Sequence, residues 1–178
     1  MRLDASTSAL CVIDVQERLL PAMAEGERVV ARCRRLAEAA RLVSVPMLLT
    51  EQYPKGLGPT VAALAEILPP PLTKMSFSCC GEPGFGRAIP AGVSAFVLCG
   101  LETHVCVAQT ALDLMATGAA VFIAVDAVTS RHSIDHETAL RRLTAAGTIL
   151  TTSEAILFEW CGSAEHPQFQ AIRRLVLT

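Results

Sequence analysis

Three side chains of this sequence, Cys106, Asp14 and Lys74, are of the types that together activate a nucleophile. A cysteine attacks as its thiolate, so it needs a group that takes its proton and a positive charge that stabilises the anion. An aspartate beside a lysine supplies both. Each residue also has a structural interpretation: a core cysteine, an aspartate that ends a strand, and a lysine whose amine reaches solvent. The elements that carry them help to decide between these interpretations.

Cys106 follows a strand and opens a helix. Residues 95–100 form an apolar run ending in glycine, and a polar turn then leads into apolar positions at helical spacing, which predicts a helix that ends near Gly118. We expect Thr103 to cap this helix, so that Cys106 is its third residue. There, free backbone N–H groups and the helix dipole favour a thiolate. This position favours a nucleophile over a core cysteine.

Asp14 and Lys74 each interrupt an apolar segment. Asp14 lies near the C-terminal end of the run 9–15, whose continuous apolar character is typical of a strand covered on both faces. A carboxylate there must be paired or have a raised pKa, and a raised pKa suits a general base for a thiol. Lys74 belongs to the short extended segment 72–77, where a lysine is unusual unless its ammonium meets an acid.

Strands alternate with helices along the whole chain. Strands are expected at residues 9–15, 46–50, 72–77, 95–100, 120–125 and 148–151, and helices at 26–43, 105–117, 134–146, after residue 153 and at 169–176. This alternation predicts a three-layer α/β/α, Rossmann-like fold with a six-stranded parallel sheet in the order 3-2-1-4-5-6. Strands one and four are neighbours in that order, so Asp14 and Cys106 should face the same crevice. The glycines of residues 80–86 do not fit a dinucleotide site, and a loop is expected there.

Composition limits the class of protein. A chain of 178 residues, 52% of them hydrophobic, is expected to form one domain over residues 1–178. A net charge of −2 without a basic stripe argues against a nucleic-acid partner. The absence of a signal peptide and of an apolar run of about 20 residues predicts a soluble, cytoplasmic protein without a membrane partner. Seven scattered cysteines fit a reducing compartment, and Cys79 and Cys80 are expected to be buried.

Three segments of the sequence resemble a known family. They are TEQYPKGLG at residues 50–58, GLETHVCV at 100–107 and TTSEA at 151–155. From about residue 10 to the C-terminal helix, the chain is similar to the isochorismatase-like hydrolases of the cysteine hydrolase superfamily. Within them it resembles the isochorismatase domain-containing proteins.

This resemblance implies a catalytic triad of Asp14, Lys74 and Cys106. It also implies a cis peptide bond between Leu101 and Glu102, and an oxyanion hole formed by the backbone N–H groups of Glu102 and Cys106. Closed oligomers are common among such proteins, and the partner implied for the site is a small-molecule substrate.

Two departures from the family pattern limit the reactions that we expect this chain to catalyse. The nicotinamidase branch carries a metal motif of the type Asp-x-His, whereas this chain has Glu51-Gln52-Tyr53 and no histidine nearby, which argues against a zinc enzyme and predicts no cofactor. Isochorismatases proper lack the cysteine, so Cys106 favours thiol chemistry on a small amide or related C–N bond. The alternative is a catalytically idle or redox-responsive scaffold that uses the same thiol.

Further candidates lie near the expected crevice. Gln16, Tyr53 and Phe77 are strand-end or loop residues that are expected to shape a substrate pocket, with ordinary packing as the alternative. Loops at the carboxyl ends of parallel strands commonly line such pockets.

The histidines are weaker candidates. His132 and His136 have the i, i+4 spacing of two metal ligands, but the sequence suggests no third ligand. His104 lies two residues before Cys106, a spacing that points its ring away from the thiol. We expect it to contact the turn or a neighbouring subunit.

The apolar character of the chain predicts self-association. Its mean hydropathy is +0.44, and only 18% of its residues are charged, below the roughly 25% usual in soluble domains. In the helix at 105–117 we assign one apolar row to the core, namely Val105, Ala108, Leu112 and Met115. We expect a second row off that face, namely Val107, Ala111 and Leu114. A homodimer or larger assembly would cover the second row. The alternative is that the C-terminal helix covers it.

Overall fold

The computed structural model describes residues 1–177, which form a six-stranded parallel sheet between two layers of helices. The strands are β1 (Ser8–Ile13), β2 (Met47–Gln52), β3 (Leu72–Lys74), β4 (Ala95–Leu101), β5 (Ala120–Thr129) and β6 (Ile149–Thr151). The helices are α1 (Gly26–Leu42), α2 (Pro54–Leu57), α3 (Ala62–Ala65), α4 (Pro83–Ala88), α5 (Ala108–Ala116), α6 (Ser133–Ala146), α7 (Ser153–Cys161) and α8 (Phe169–Leu177). The strand order β3-β2-β1-β4-β5-β6 confirms the predicted fold and topology.

The two central strands are buried along their whole length. In β1, Leu10 and Val12 face a core shared with α1, α7 and α8, whereas Cys11 and Ile13 face the core shared with α4, α5 and α6. This two-sided burial explains the continuous apolar run. β4 approaches β1 closely at Gly100, where an added Cβ would overlap the Ile13 carbonyl and where φ is +113°, so only glycine fits.

Two local predictions are wrong at the edge of the site. The strand or extended segment expected at 72–77 is a strand as far as Lys74, but the loop expected at 80–86 contains the start of helix α4. Helix formation follows from Pro83 at the first helical position and from the Glu82 carboxylate, which accepts the Gly84 N–H at 3.2 Å. Cys79 is buried as expected, but Cys80 is exposed.

The apolar face of α5 also differs from the prediction. The row expected to lie off the core, Val107, Ala111 and Leu114, is buried inside the subunit, and Leu112 and Met115 are only partly buried. A π turn (Thr103–Val107) precedes α5 and changes the phase of the side chains relative to a regular α-helix. α8 packs against α1 and α7 in the other layer, so it does not cover α5.

No helix within the described part of the chain is long and apolar enough to cross a membrane.

Candidate active site

The structure brings Asp14, Lys74 and Cys106 together at the carboxyl edge of the sheet. Asp14 directly follows β1 in a left-handed backbone conformation, with φ of +53°. Lys74 is the last residue of β3, and Cys106 lies in the π turn after β4. The left-handed conformation is uncommon for a residue with a side chain and is typical of strained functional positions.

Asp14 and Lys74 form a fully buried ion pair. The Lys74 Nζ lies 2.7 Å from the Asp14 Oδ2, and neither side chain is exposed. The ammonium also donates to the Gln52 Oε1 at 2.8 Å and to the Phe77 carbonyl at 3.0 Å. Burial lowers the pKa of Lys74, but the negative charge of Asp14 acts against it, and the net pKa lies above the ordinary value. The lysine therefore keeps its charge inside the protein.

Sequence reasoning missed the residues that hold this pair. The Thr50 hydroxyl donates to the second carboxylate oxygen of Asp14 at 2.7 Å, and the Cys79 thiol lies 3.8 Å from the same hydroxyl. The Gln52 amide is oriented by its Nε2, which donates to the Met75 carbonyl at 2.9 Å. The sequence did contain a signal for two of these residues. Thr50 and Gln52 are polar residues at the C-terminal end of β2, the strand beside β1.

Cys106 is 6% exposed, and its thiol lies beside Asp14 and Lys74. Burial raises the pKa of this thiol strongly, the charge of Asp14 raises it further, and the charge of Lys74 acts in the opposite direction. This differs from the thiolate expected at a helix start. Desolvation of a charge outweighs the helix dipole here, so the resting thiol is neutral, with a carboxylate beside it.

The cap predicted at Thr103 is wrong as well. The cap residue is Glu102, which makes no side-chain capping bond, and the Thr103 hydroxyl lies 2.9 Å from the His136 Nδ1 instead. The peptide bond between Leu101 and Glu102 is cis, at the position that the family resemblance implies. The Glu102 carboxylate accepts hydrogen bonds from the Arg131 backbone N at 3.0 Å and Nε at 3.1 Å.

The three candidate pocket residues have different surroundings. Gln16 is fully buried: its Nε2 donates to the Gln52 and Gly58 carbonyls and its Oε1 accepts the Gln52 N–H. It therefore holds the loop after β2. Tyr53 and Phe77 are 47% and 53% exposed, and both lie near Lys74: the Tyr53 N–H donates to the Lys74 carbonyl, and the Phe77 carbonyl accepts from the Lys74 ammonium.

The histidines contact neighbouring polar groups. His104 Nδ1 lies 3.0 Å from the Ser130 Oγ, in the segment after β5. His136 contacts Thr103, and His132 is exposed. Within residues 1–177 no group of three or more His, Cys, Asp and Glu side chains is arranged to hold a metal ion.

Comparison with known proteins identifies the family. The isochorismatase domain matches residues 8–155. Isochorismatase domain-containing protein 2 of Bos taurus is 42% identical over 172 residues, which are 96% of this chain and 83% of that protein. Among solved structures, one described as MAR1 ribonuclease from Caenorhabditis elegans is 41% identical with a TM-score of 0.95, covering 100% of this chain and 93% of that one.

A more distant structure is YcaC from Pseudomonas aeruginosa with hexane-2,5-diol and covalent acrylamide. It is 28% identical with a TM-score of 0.85 and covers 96% of this chain and 89% of its own. The fold, the matched domain and these relatives agree with the resemblance carried by the sequence segments. The chain belongs to the isochorismatase family.

Proposed function

We propose that this protein is a hydrolase that cleaves a small amide or a related C–N bond through a covalent intermediate on Cys106. The observation that supports this most is the buried Asp14–Lys74 pair beside the Cys106 thiol. A thiol next to a carboxylate and an ammonium has a proton acceptor and a stabilising charge in one place. Membership of the isochorismatase family supports hydrolysis as the general reaction.

In the proposed first step, Asp14 takes the proton of Cys106 while the sulfur attacks the carbonyl carbon. Because burial raises the pKa of the thiol, a free thiolate does not accumulate at neutral pH, and the proton moves as the substrate arrives. Lys74 keeps the carboxylate oriented and offsets the negative charge that develops.

The carbonyl oxygen becomes an oxyanion, which the backbone N–H groups of Glu102 and Cys106 stabilise in our proposal. The C–N bond then breaks, and the leaving nitrogen takes the proton from Asp14. This leaves a thioester on Cys106. A water molecule gives a proton to Asp14 and attacks the thioester, which releases the acid and returns the proton to the sulfur.

The substrate in this proposal is a small molecule. Cys106 is 6% exposed at the edge of the sheet, and Tyr53 and Phe77 on the neighbouring loops offer largely apolar contacts. We therefore place both aromatic side chains in the pocket and assign Gln16 to loop positioning. The name ribonuclease belongs to the Caenorhabditis elegans relative, and RNA is included in the test as a competing substrate class.

The test incubates the parent protein and Cys106→Ser with a panel of small amides and ureido compounds, with acrylamide and with a short RNA. We expect turnover of at least one amide, a thioester adduct on Cys106 by mass spectrometry, and neither in Cys106→Ser. RNA cleavage that survives Cys106→Ser would overturn the proposal. Reproducible oxidation of Cys106 without any turnover would instead support the redox-responsive scaffold.

A further inference from the structure

Three consecutive residues at the start of the turn that carries Cys106 each bond to the segment after β5. The Glu102 carboxylate accepts from Arg131, the Thr103 hydroxyl lies against His136, and the His104 ring lies against Ser130. Side chains at three successive positions thus all reach one short stretch of chain. We call the three contacted residues, Ser130, Arg131 and His136, the β5–α6 clamp.

The contact between Thr103 and His136 is the most buried of the three at the turn. Thr103 has no exposed surface, and its Oγ1 lies 2.9 Å from the His136 Nδ1. A buried hydroxyl that loses its partner is costly, so this bond holds the first residue of the π turn against α6. Burial lowers the pKa of His136 and the positive charge of Arg28 lowers it further, so the imidazole is neutral at neutral pH.

The other two contacts fix the turn on either side of Thr103. The Arg131 backbone N and Nε hold the Glu102 carboxylate at 3.0 and 3.1 Å, and this carboxylate is almost fully buried. His104 Nδ1 lies 3.0 Å from the buried Ser130 Oγ, and its Nε2 lies 4.0 Å from the Asp135 carboxylate. The turn is therefore held to the clamp at three consecutive residues.

This attachment matters because the proposed reaction tolerates little displacement of the Cys106 sulfur. The thiol must stay beside Asp14, which is itself fixed by Lys74 and Thr50 on the other side of the crevice. Catalytic groups need positions accurate to about 0.5 Å, and residues that lock them are often remote from the substrate.

We propose that the β5–α6 clamp positions the Cys106 nucleophile, and that His136, acting through Thr103, is its central positioning residue. The inference rests on the proposed role of Cys106 as the nucleophile. It gives His104 and His136 a function in placing the π turn against Asp14 and Lys74.

The experiment removes either partner of the central bond. Thr103→Val deletes the hydroxyl at nearly constant volume, and His136→Phe deletes the ring nitrogen. Thr103→Ser and His136→Asn retain a polar atom near the same place and serve as rescue variants. His132→Phe is the matched control, because His132 is an exposed histidine four residues earlier that makes no capping bond to α6.

We expect Thr103→Val and His136→Phe each to lower kcat by about 10- to 100-fold, the loss typical of a misplacement near 1 Å, with KM changed by less than about twofold. The double variant should lose no more than the larger single loss, since both remove the same bond. The rescue variants should recover most of kcat, and His132→Phe should match the parent. Thermal unfolding confirms that each variant is folded at the assay temperature.

A second readout does not depend on turnover. The rate of Cys106 modification by acrylamide is followed against pH, with site-specific mass spectrometry to separate it from Cys80. In Thr103→Val and His136→Phe we expect the apparent pKa of Cys106 to fall towards that of an ordinary thiol, because a displaced sulfur leaves the buried position beside Asp14.

The outcomes separate the two proposals. If no amide is turned over but the apparent pKa falls in both variants, the proposed function fails and the positioning inference stands. Parent-like kcat and an unchanged pH profile in two folded variants would overturn the inference. So would an equal effect of His132→Phe, or failure of both variants to fold, since the bond would then serve stability alone.

Discussion

Asp14→Asn separates the charge of the carboxylate from its shape. Asparagine keeps the size of the side chain, but it removes the partner of a Lys74 ammonium that is fully buried. The remaining acceptors of the ammonium, the Gln52 amide oxygen and the Ser76 and Phe77 carbonyls, are neutral. The substitution should therefore reduce stability as well as activity, although the two shapes are nearly the same.

The size of the stability loss follows from two limits. Breaking a buried ion pair by removing one partner typically costs about 3 to 5 kcal/mol. Lys74 can instead lose its proton, and for an amine of ordinary pKa 10.5 this costs about 5 kcal/mol at pH 7. The stability loss cannot exceed the cost of this deprotonation. We therefore expect Asp14→Asn to lower the free energy of unfolding by about 3 to 5 kcal/mol. A change of this size is a large fraction of the stability of most domains.

The assay compares urea unfolding and amide turnover in a small set of variants. Asp14→Asn should lower the rate by about 10²- to 10⁴-fold through the loss of the general base, measured under conditions in which the variant is folded. Asp14→Asn combined with Lys74→Met removes the unpaired charge, so it should recover stability but not activity. Asp113→Asn changes the same side chain at an exposed position of α5 and should leave both quantities unchanged.

Either of two results would refute this reasoning. Parent-like turnover by a folded Asp14→Asn would show that another group accepts the thiol proton. A stability loss below about 1 kcal/mol would be typical of a solvent-exposed pair and would contradict the burial of this one.

Four further predictions follow from the structure. The interactions that raise the pKa of Lys74 stabilise the fold fully below the ordinary value of 10.5, and this stabilisation is lost as pH rises through the folded pKa. The free energy of unfolding measured with urea should therefore fall more steeply at alkaline pH for the parent than for the double variant that combines Asp14→Asn with Lys74→Met. In a Cys80→Ser background, which removes the exposed thiol, limiting iodoacetamide should label Cys106 first by peptide mass spectrometry, because the neighbouring Asp14 takes its proton as the reagent arrives; first labelling of a core cysteine would contradict its assignment as the reactive thiol. Elemental analysis should find no stoichiometric zinc or iron, and metal removed by EDTA together with activity would contradict this. Light scattering after size exclusion should give a homodimer or larger mass, because large apolar side chains such as Met75, Ile134 and Phe158 are exposed on the subunit, and a monomer mass across a dilution series would refute it.

The architecture was largely predictable because its signals are local and repeated. A strand buried on both faces must be apolar throughout, and β1 and β4 show this directly. Strand order then follows from short right-handed crossovers, and it placed Asp14 and Cys106 at one crevice. Lys74 was detectable because a charge inside an apolar segment needs a partner.

The errors arose where a neighbour in space changes a local preference. The Thr103 hydroxyl has the chemistry of a helix cap, but in the structure it contacts His136, which is 33 residues away. The π turn then altered the phase of α5, so the row predicted to lie off the core is buried inside the subunit. Likewise, nothing in the sequence indicated that the Gln16 amide bonds to the loop after β2. The hydrophobic periodicity of a sequence carries no information about such contacts between distant residues.

The protonation state of Cys106 shows why position along a helix is insufficient evidence for a thiolate. A helix start stabilises an anion by a modest amount, typically about 0.3 to 1 kcal/mol, whereas burying a charge costs several kcal/mol. With the sulfur nearly enclosed and Asp14 beside it, the balance favours the neutral thiol. The same carboxylate that raises the pKa is the acceptor for the proton, so the proposed activation is coupled to substrate attack. The proposed clamp on the turn that carries Cys106 fits this mechanism, because proton transfer between two fixed groups depends on the distance between them.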